Sequence, residues 1–121
     1  MVISKALGRA TIAALVALAF VVPPQPAGAA GDPAAGKTKA QPCAVCHGID
    51  GLAKRPDAPH LAGESEIYLA KQLEAFRGGA RQHEIMTIIA KDLGDQDIAD
   101  LAAWYARIKV TVELPDLGGQ N

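Results

Sequence analysis

The sequence predicts an all-α fold. Two apolar stripes recur at helical spacing, Leu69-Leu73-Phe76 and Ile98-Leu101-Ala102-Tyr105-Ile108. No run of residues alternates convincingly as a half-buried strand would, and Gly or Pro punctuates every gap between the stripes.

In chain order, Asp32-Pro33 opens the first helix as an N-cap followed by proline at the first helical position. The helix covers Ala34 to Ala40 and stops before Pro42. Gly36 inside it costs roughly 1 kcal/mol relative to alanine; its small size would let another helix cross closely, the alternative being that it simply sits in a frayed terminus. From Gly48 to Gly63 there is no sustained periodicity, and Gly51, Pro56 and Pro59 mark a loop. A helix over Ser65 to Arg77 is ended by Gly78-Gly79. Glu84 to Leu93 is mixed, a loop passing into a short helix closed by Gly94. The strongest helical signal runs from Asp95 to Lys109, with Asp95 and Asp97 in the first turn and Arg107 and Lys109 in the last, where the helix dipole favours them. Residues 111–121 read as a tail.

The chemistry is concentrated in Cys43-Ala44-Val45-Cys46-His47. Two cysteines separated by two residues, with histidine directly after the second, form the attachment signature of a c-type haem. Each thiol adds across a vinyl group of one porphyrin, and the next residue is carried under the ring, where its imidazole can bind iron. A thioredoxin-like pair would need a βαβ setting, and a tetrahedral zinc site would need a second pair of ligands. Neither is present in the sequence; a strained disulfide is the remaining alternative. One motif and no internal repeat imply one covalently bound haem c per chain. The few aromatics, Tyr68, Phe76, Trp104 and Tyr105, suit a small domain that borrows its core from a flat apolar cofactor.

His47 takes one face of the iron. For the other face, Met86 is the one methionine outside the leader, and a thioether favours Fe(II) and raises the potential of a His/Met haem. His83 and a vacant or water-bound site are the alternatives, while His60 is expected at the surface or at a haem edge. A second-shell acceptor should orient His47. The Pro59 carbonyl is a candidate for it, although Pro59 could equally serve only as a turn residue.

Residues 1–30 have the layout of a cleaved signal peptide: Lys5 and Arg9, an apolar run from Ala10 to Val22, then prolines and Ala27-Gly28-Ala29. That run is shorter than the ~20 residues that cross a bilayer, so a retained anchor is not expected. Without the leader, 10 basic residues stand against 13 acidic ones, which argues against nucleic acid. The expected location is the periplasm, as a monomer or weak dimer.

With these residues in view, the mature domain, 31–110, resembles the class I c-type cytochromes. It is similar to the small periplasmic mono-haem type and to the single domains of di-haem cytochromes c. The resemblance rests on Asp32-Pro33-Ala34-Ala35-Gly36-Lys37, Cys43 to Gly48, Pro59-His60-Leu61-Ala62-Gly63, Tyr68 to Gly79 and Ile98 to Tyr105, with Met86 at the distal-ligand position. It implies three to four short helices wrapped round one haem, the N- and C-terminal helices crossing near Gly36, and the Pro59 carbonyl bonded to the proximal histidine. Gly94 stands where that group commonly has a serine cap, and isoleucines 85, 88 and 89 surround Met86.

The expected function is one-electron transfer between periplasmic redox proteins, with no enzymatic activity and with transient docking through an apolar rim plus charges such as Lys37, Lys54, Arg55 and Lys91, for which an ordinary solvated surface is the alternative. The alternatives are an electron-accepting haem subunit of a periplasmic dehydrogenase and, with an open sixth site, a gas-binding or peroxidatic haem protein.

Overall fold

The computed structural model describes residues 30–116 and 118. The expected leader up to residue 29 lies outside the described residues, as do residues 117 and 119–121 of the expected tail. Among the described residues there is no strand: the chain forms four helices and one isolated helical turn. These are α1 (Pro33–Lys39), the turn α2 (Ala44–His47), α3 (Glu66–Arg77), α4 (Met86–Lys91) and α5 (Asp95–Ala106). None of the described helices is long and apolar enough to cross a membrane.

Local signals start α1, α3 and α5. The Asp32 carboxylate accepts from the Ala34 N–H at 2.8 Å, and Ser65 Oγ accepts from the Tyr68 N–H at 3.4 Å. Gly94 has no side chain to cap α5, so Asp97 Oδ2 reaches back to accept the Gly94 N–H at 3.0 Å, half of a capping box. α5 ends three residues short of the expected Lys109. The Tyr105 carbonyl is taken by the Gly63 N–H at 3.0 Å, and the last turn tightens to Arg107→Trp104 and Ile108→Tyr105 bonds.

α5 is the spine. It crosses α1 and packs along α3, and α4 leans on α3. A Cβ on Gly36 would collide with the Asp100 carbonyl and come within 2.9 Å of Trp104 Cβ, so the expected crossing is confirmed. Gly31 makes a second such approach, against Ala99 and Ala103, that sequence reasoning missed. Beside the crossing, Asp100 is 2 % exposed. Its carboxylate accepts from the Asp32 N–H (2.8 Å), Gln96 Nε2 (2.8 Å) and Lys39 Nζ (2.6 Å). Lys39 also pairs with Asp97 at 2.8 Å. The Lys39 ammonium, with two further hydrogen bonds, holds the Asp100 carboxyl down at about 2.

The buried cluster is small: Ala40, Leu69, Leu101, Ala102 and Tyr105, with Leu61, Leu73, Leu93 and Trp104 partly buried against it. It forms one wall of a cavity rather than filling the centre of the domain.

Candidate functional site

The motif cysteines sit on a single turn of helix. The His47 N–H donates to the Cys43 carbonyl at 2.9 Å, and the Cys46 N–H donates to the same oxygen at 3.2 Å. Positions i, i+3 and i+4 of a helix share a face. Cys43, Cys46 and His47 therefore all border one cavity, while Val45 between them is 73 % exposed. Both thiols are free and half-buried, and burial pushes the Cys43 thiol above its ordinary pKa.

Gly48 ends this turn with φ +75°, a left-handed conformation that a side chain would strain. Its carbonyl accepts the buried Tyr105 hydroxyl at 3.1 Å, and the neighbouring Ile49 carbonyl accepts Trp104 Nε1 at 3.1 Å. α5 thus fixes the chain directly after His47.

His47 is 7 % exposed, with Nδ1 2.9 Å from the Pro59 carbonyl oxygen. A carbonyl can only accept, so Nδ1 is the donor; in the neutral imidazole this leaves the Nε2 lone pair free. The Pro59 segment is held by Leu61 and Ala62 N–H bonds to the Gly51 carbonyl, at 2.8 and 3.1 Å. His60 accepts the Ala53 N–H at Nδ1 (2.8 Å) and stays exposed at the cavity rim.

The cavity, of about 310 Å³, lies in the range of cofactor sites. Leu69, Leu73 and Phe76 of α3, Ile89 of α4, Leu93, and Leu101 and Tyr105 of α5 line it. Met86, the first residue of α4, is half-buried and faces the same space. All five sequence-predicted site residues, Cys43, Cys46, His47, Pro59 and Met86, thus border one cavity. At its edge lie Arg55, paired with Asp57 at 2.9 Å, and Arg81, stacked 4.6 Å from the Phe76 ring centroid and bonded to Gln72 Oε1 at 2.6 Å.

Sequence reasoning missed Arg77. It donates to the Leu93 carbonyl at 2.9 Å and pairs with Asp95 at 2.7 Å, locking the α4–α5 corner to α3. Of the expected docking cations, Lys54 pairs with Asp50 at 3.0 Å and Lys37 lies 5.4 Å from the Trp104 ring centroid.

Two free thiols on one helical face, an imidazole with a free lone pair beside an apolar cavity and a thioether on its border match the needs of a covalently attached haem. The family model for cytochrome c matches residues 33–108, and the chain belongs to the cytochrome c family, whose cofactor is a covalently bound haem c. Its class I fold is shared with a crystal structure of reduced recombinant cytochrome c4 from Pseudomonas stutzeri, 39% identical with a TM-score of 0.64, covering 69% of this chain and 48% of that one.

The chain is also 47% identical over 88 residues to a cytochrome c4 of Pseudomonas aeruginosa, covering 73% of this chain and 44% of the relative. It thus spans less than half the length of that relative. A cytochrome c-554(548) of Halomonas halodenitrificans is 45% identical over 80 residues, 64% of this chain and 96% of the relative. A thiosulfate dehydrogenase electron acceptor of Thiomonas intermedia is 41% identical over 78 residues, 63% of this chain and 36% of the relative.

Proposed function

We propose that this chain is a mono-haem one-electron carrier working between redox proteins in the periplasm. The unit that does so spans 31–110, following a signal peptide that is cleaved near residue 30. The observation that carries the reading is the convergence of Cys43, Cys46, His47 and Met86 on one apolar cavity. When bound, the haem supplies a one-electron Fe(III)/Fe(II) couple.

The chain's residues would tune and protect that couple. Cys43 and Cys46 would hold the porphyrin edge through two thioethers, so that an exported protein cannot lose it. His47 would bind iron through Nε2 while Pro59 fixes the imidazole plane and raises its basicity. Met86, a soft neutral donor, would close the other face and raise the potential. Leucines 69, 73 and 101 and Phe76 would exclude water, which keeps reorganisation small. His47 and Met86 would both hold the haem, so the couple would work without either side chain leaving it.

A redox titration joined to visible spectra of the wild type and of Met86→Ala tests this reading. Wild-type protein should show a low-spin spectrum with the far-red sulfur-to-iron band and should bind CO poorly when reduced. Met86→Ala should keep its haem but lose the band and fall substantially in potential. An unchanged potential would refute Met86 as ligand.

A second reading is favoured by the Thiomonas relative, whose name describes the electron acceptor of a dehydrogenase. In that case the same domain would serve as an electron-accepting subunit of a dehydrogenase complex. Stoichiometric co-purification with a dehydrogenase would replace the free carrier with this reading.

A further inference from the structure

α4 is poorly equipped to hold Met86 by itself. It has six residues, too few for a helix to persist on propensity, and its one buried side chain is Ala90. Ile88 is 71 % exposed. Its far end is held through the Arg77 bond to the Leu93 carbonyl. At the near end, where Met86 stands, the hydrogen bonds of the first turn run to His83.

The backbone carbonyl of His83 accepts the Thr87 N–H at 3.0 Å, and its own N–H donates to Thr87 Oγ1 at 2.9 Å. The His83 ring then turns back so that Nδ1 accepts the N–H groups of both Ile85 and Met86, each at 3.3 Å. Main-chain N–H groups at a helix start have no partner within the helix, and a side-chain acceptor there stabilises the first turn. His83 and Thr87 therefore form a reciprocal cap. One of its bonds ends on the backbone nitrogen of Met86 itself.

We propose that His83 is the positioning residue for Met86: it pins the first turn of α4 so that the thioether is presented to the cavity in a fixed register. The proposal rests on the reading of Met86 as the distal ligand. A thioether is a weak, uncharged donor, so its occupancy of iron depends on how often the segment carrying it opens. Losing a side-chain cap should raise the opened population by about five- to thirtyfold. His83 therefore contributes to the site without touching the iron, and its Nδ1 is already committed to backbone.

The test uses holo-protein of the full chain and the variants His83→Ala, His83→Asn, Thr87→Val and Met86→Ala. The readouts are haem content, the sulfur-to-iron band and the rate of CO binding to reduced protein. His83→Ala should retain haem, weaken the band and bind CO about five- to thirtyfold faster. His83→Asn, which restores an acceptor at the cap, should recover most of the wild-type behaviour. Thr87→Val deletes one arm of the cap and should show the same change in smaller degree; it also serves if His83→Ala fails to accumulate. A wild-type band and CO rate in His83→Ala, with both altered in Met86→Ala, would overturn the positioning role alone. If Met86→Ala changes neither readout, the ligand assignment falls and this role falls with it.

Discussion

Nδ1 of His47 lies 2.9 Å from the carbonyl oxygen of Pro59, so the imidazole of a helical residue is oriented by a loop. A backbone acceptor survives substitution of its side chain. Pro59→Ala should therefore keep the bond but lengthen or loosen it, because the proline ring no longer restricts φ. The expected outcome is faster exchange of the His47 Nδ1 proton by NMR and a small rise in potential, since a weaker acceptor leaves the imidazole less basic. Unchanged exchange would mean that the Leu61 and Ala62 bonds to Gly51 suffice to hold the loop.

The α1–α5 crossing should not admit a methyl group. Gly36→Ala gains about 1 kcal/mol of helix propensity but places Cβ against the Asp100 carbonyl, a backbone atom that cannot rotate away. Overpacking of this kind costs about 1–3 kcal/mol, and here the helices must separate. A lower melting temperature in calorimetry is expected, and an equal or higher one would place the crossing elsewhere.

Acid should act through Asp100. Its carboxyl titrates near 2 in the fold, against about 3.9 for an unfolded aspartate. The folded pKa is depressed, so the stabilisation is present above pH ~4 and is lost as pH falls toward 2. Melting temperatures of wild type and Asp100→Asn should differ most at neutral pH and converge across that window. Parallel curves would assign the acid sensitivity to other depressed carboxylates such as Asp50, Asp57 and Asp97.

Burial pushes the Tyr105 phenol above its ordinary pKa, and its hydrogen is given to the Gly48 carbonyl. Its tyrosinate absorbance should appear only as the protein unfolds in alkali and be missing from Tyr105→Phe. That variant should lose about 1 kcal/mol in denaturant titration, since Gly48 keeps the Gly51 N–H as a second donor. A tyrosinate signal from Tyr105 in native protein would contradict its burial.

Much of this architecture was legible because its signals are local. Asp32-Pro33 and Ser65 act as caps at their own helix starts, and the Cys43-to-His47 spacing puts three groups on one helical face. Gly36 announced a crossing because a glycine inside a helix has a cost that needs a reason. Gly31 carried no such signal, since it precedes the helix. The contacts of Arg77, Asp100 and Trp104 are not legible in the sequence, because each acts across more than fifteen residues on a partner that sequence does not name. The early end of α5 was hidden for the same reason: the deciding donor is the N–H of Gly63. His83 is a candidate ligand on its sequence position, yet its ring serves backbone two and three residues onward, a use that spacing alone does not separate from ligation.

Tyr105 grips the 48–63 segment at both ends, the hydroxyl on Gly48 and the carbonyl on Gly63. A loop clipped at its base pays for closure once, and doubling its length would add only about 0.6 kcal/mol. The turn at 55–58 is therefore where a lineage can insert residues or exchange charges. Changes there would leave the two Tyr105 anchors at Gly48 and Gly63, and the backbone they hold, in place.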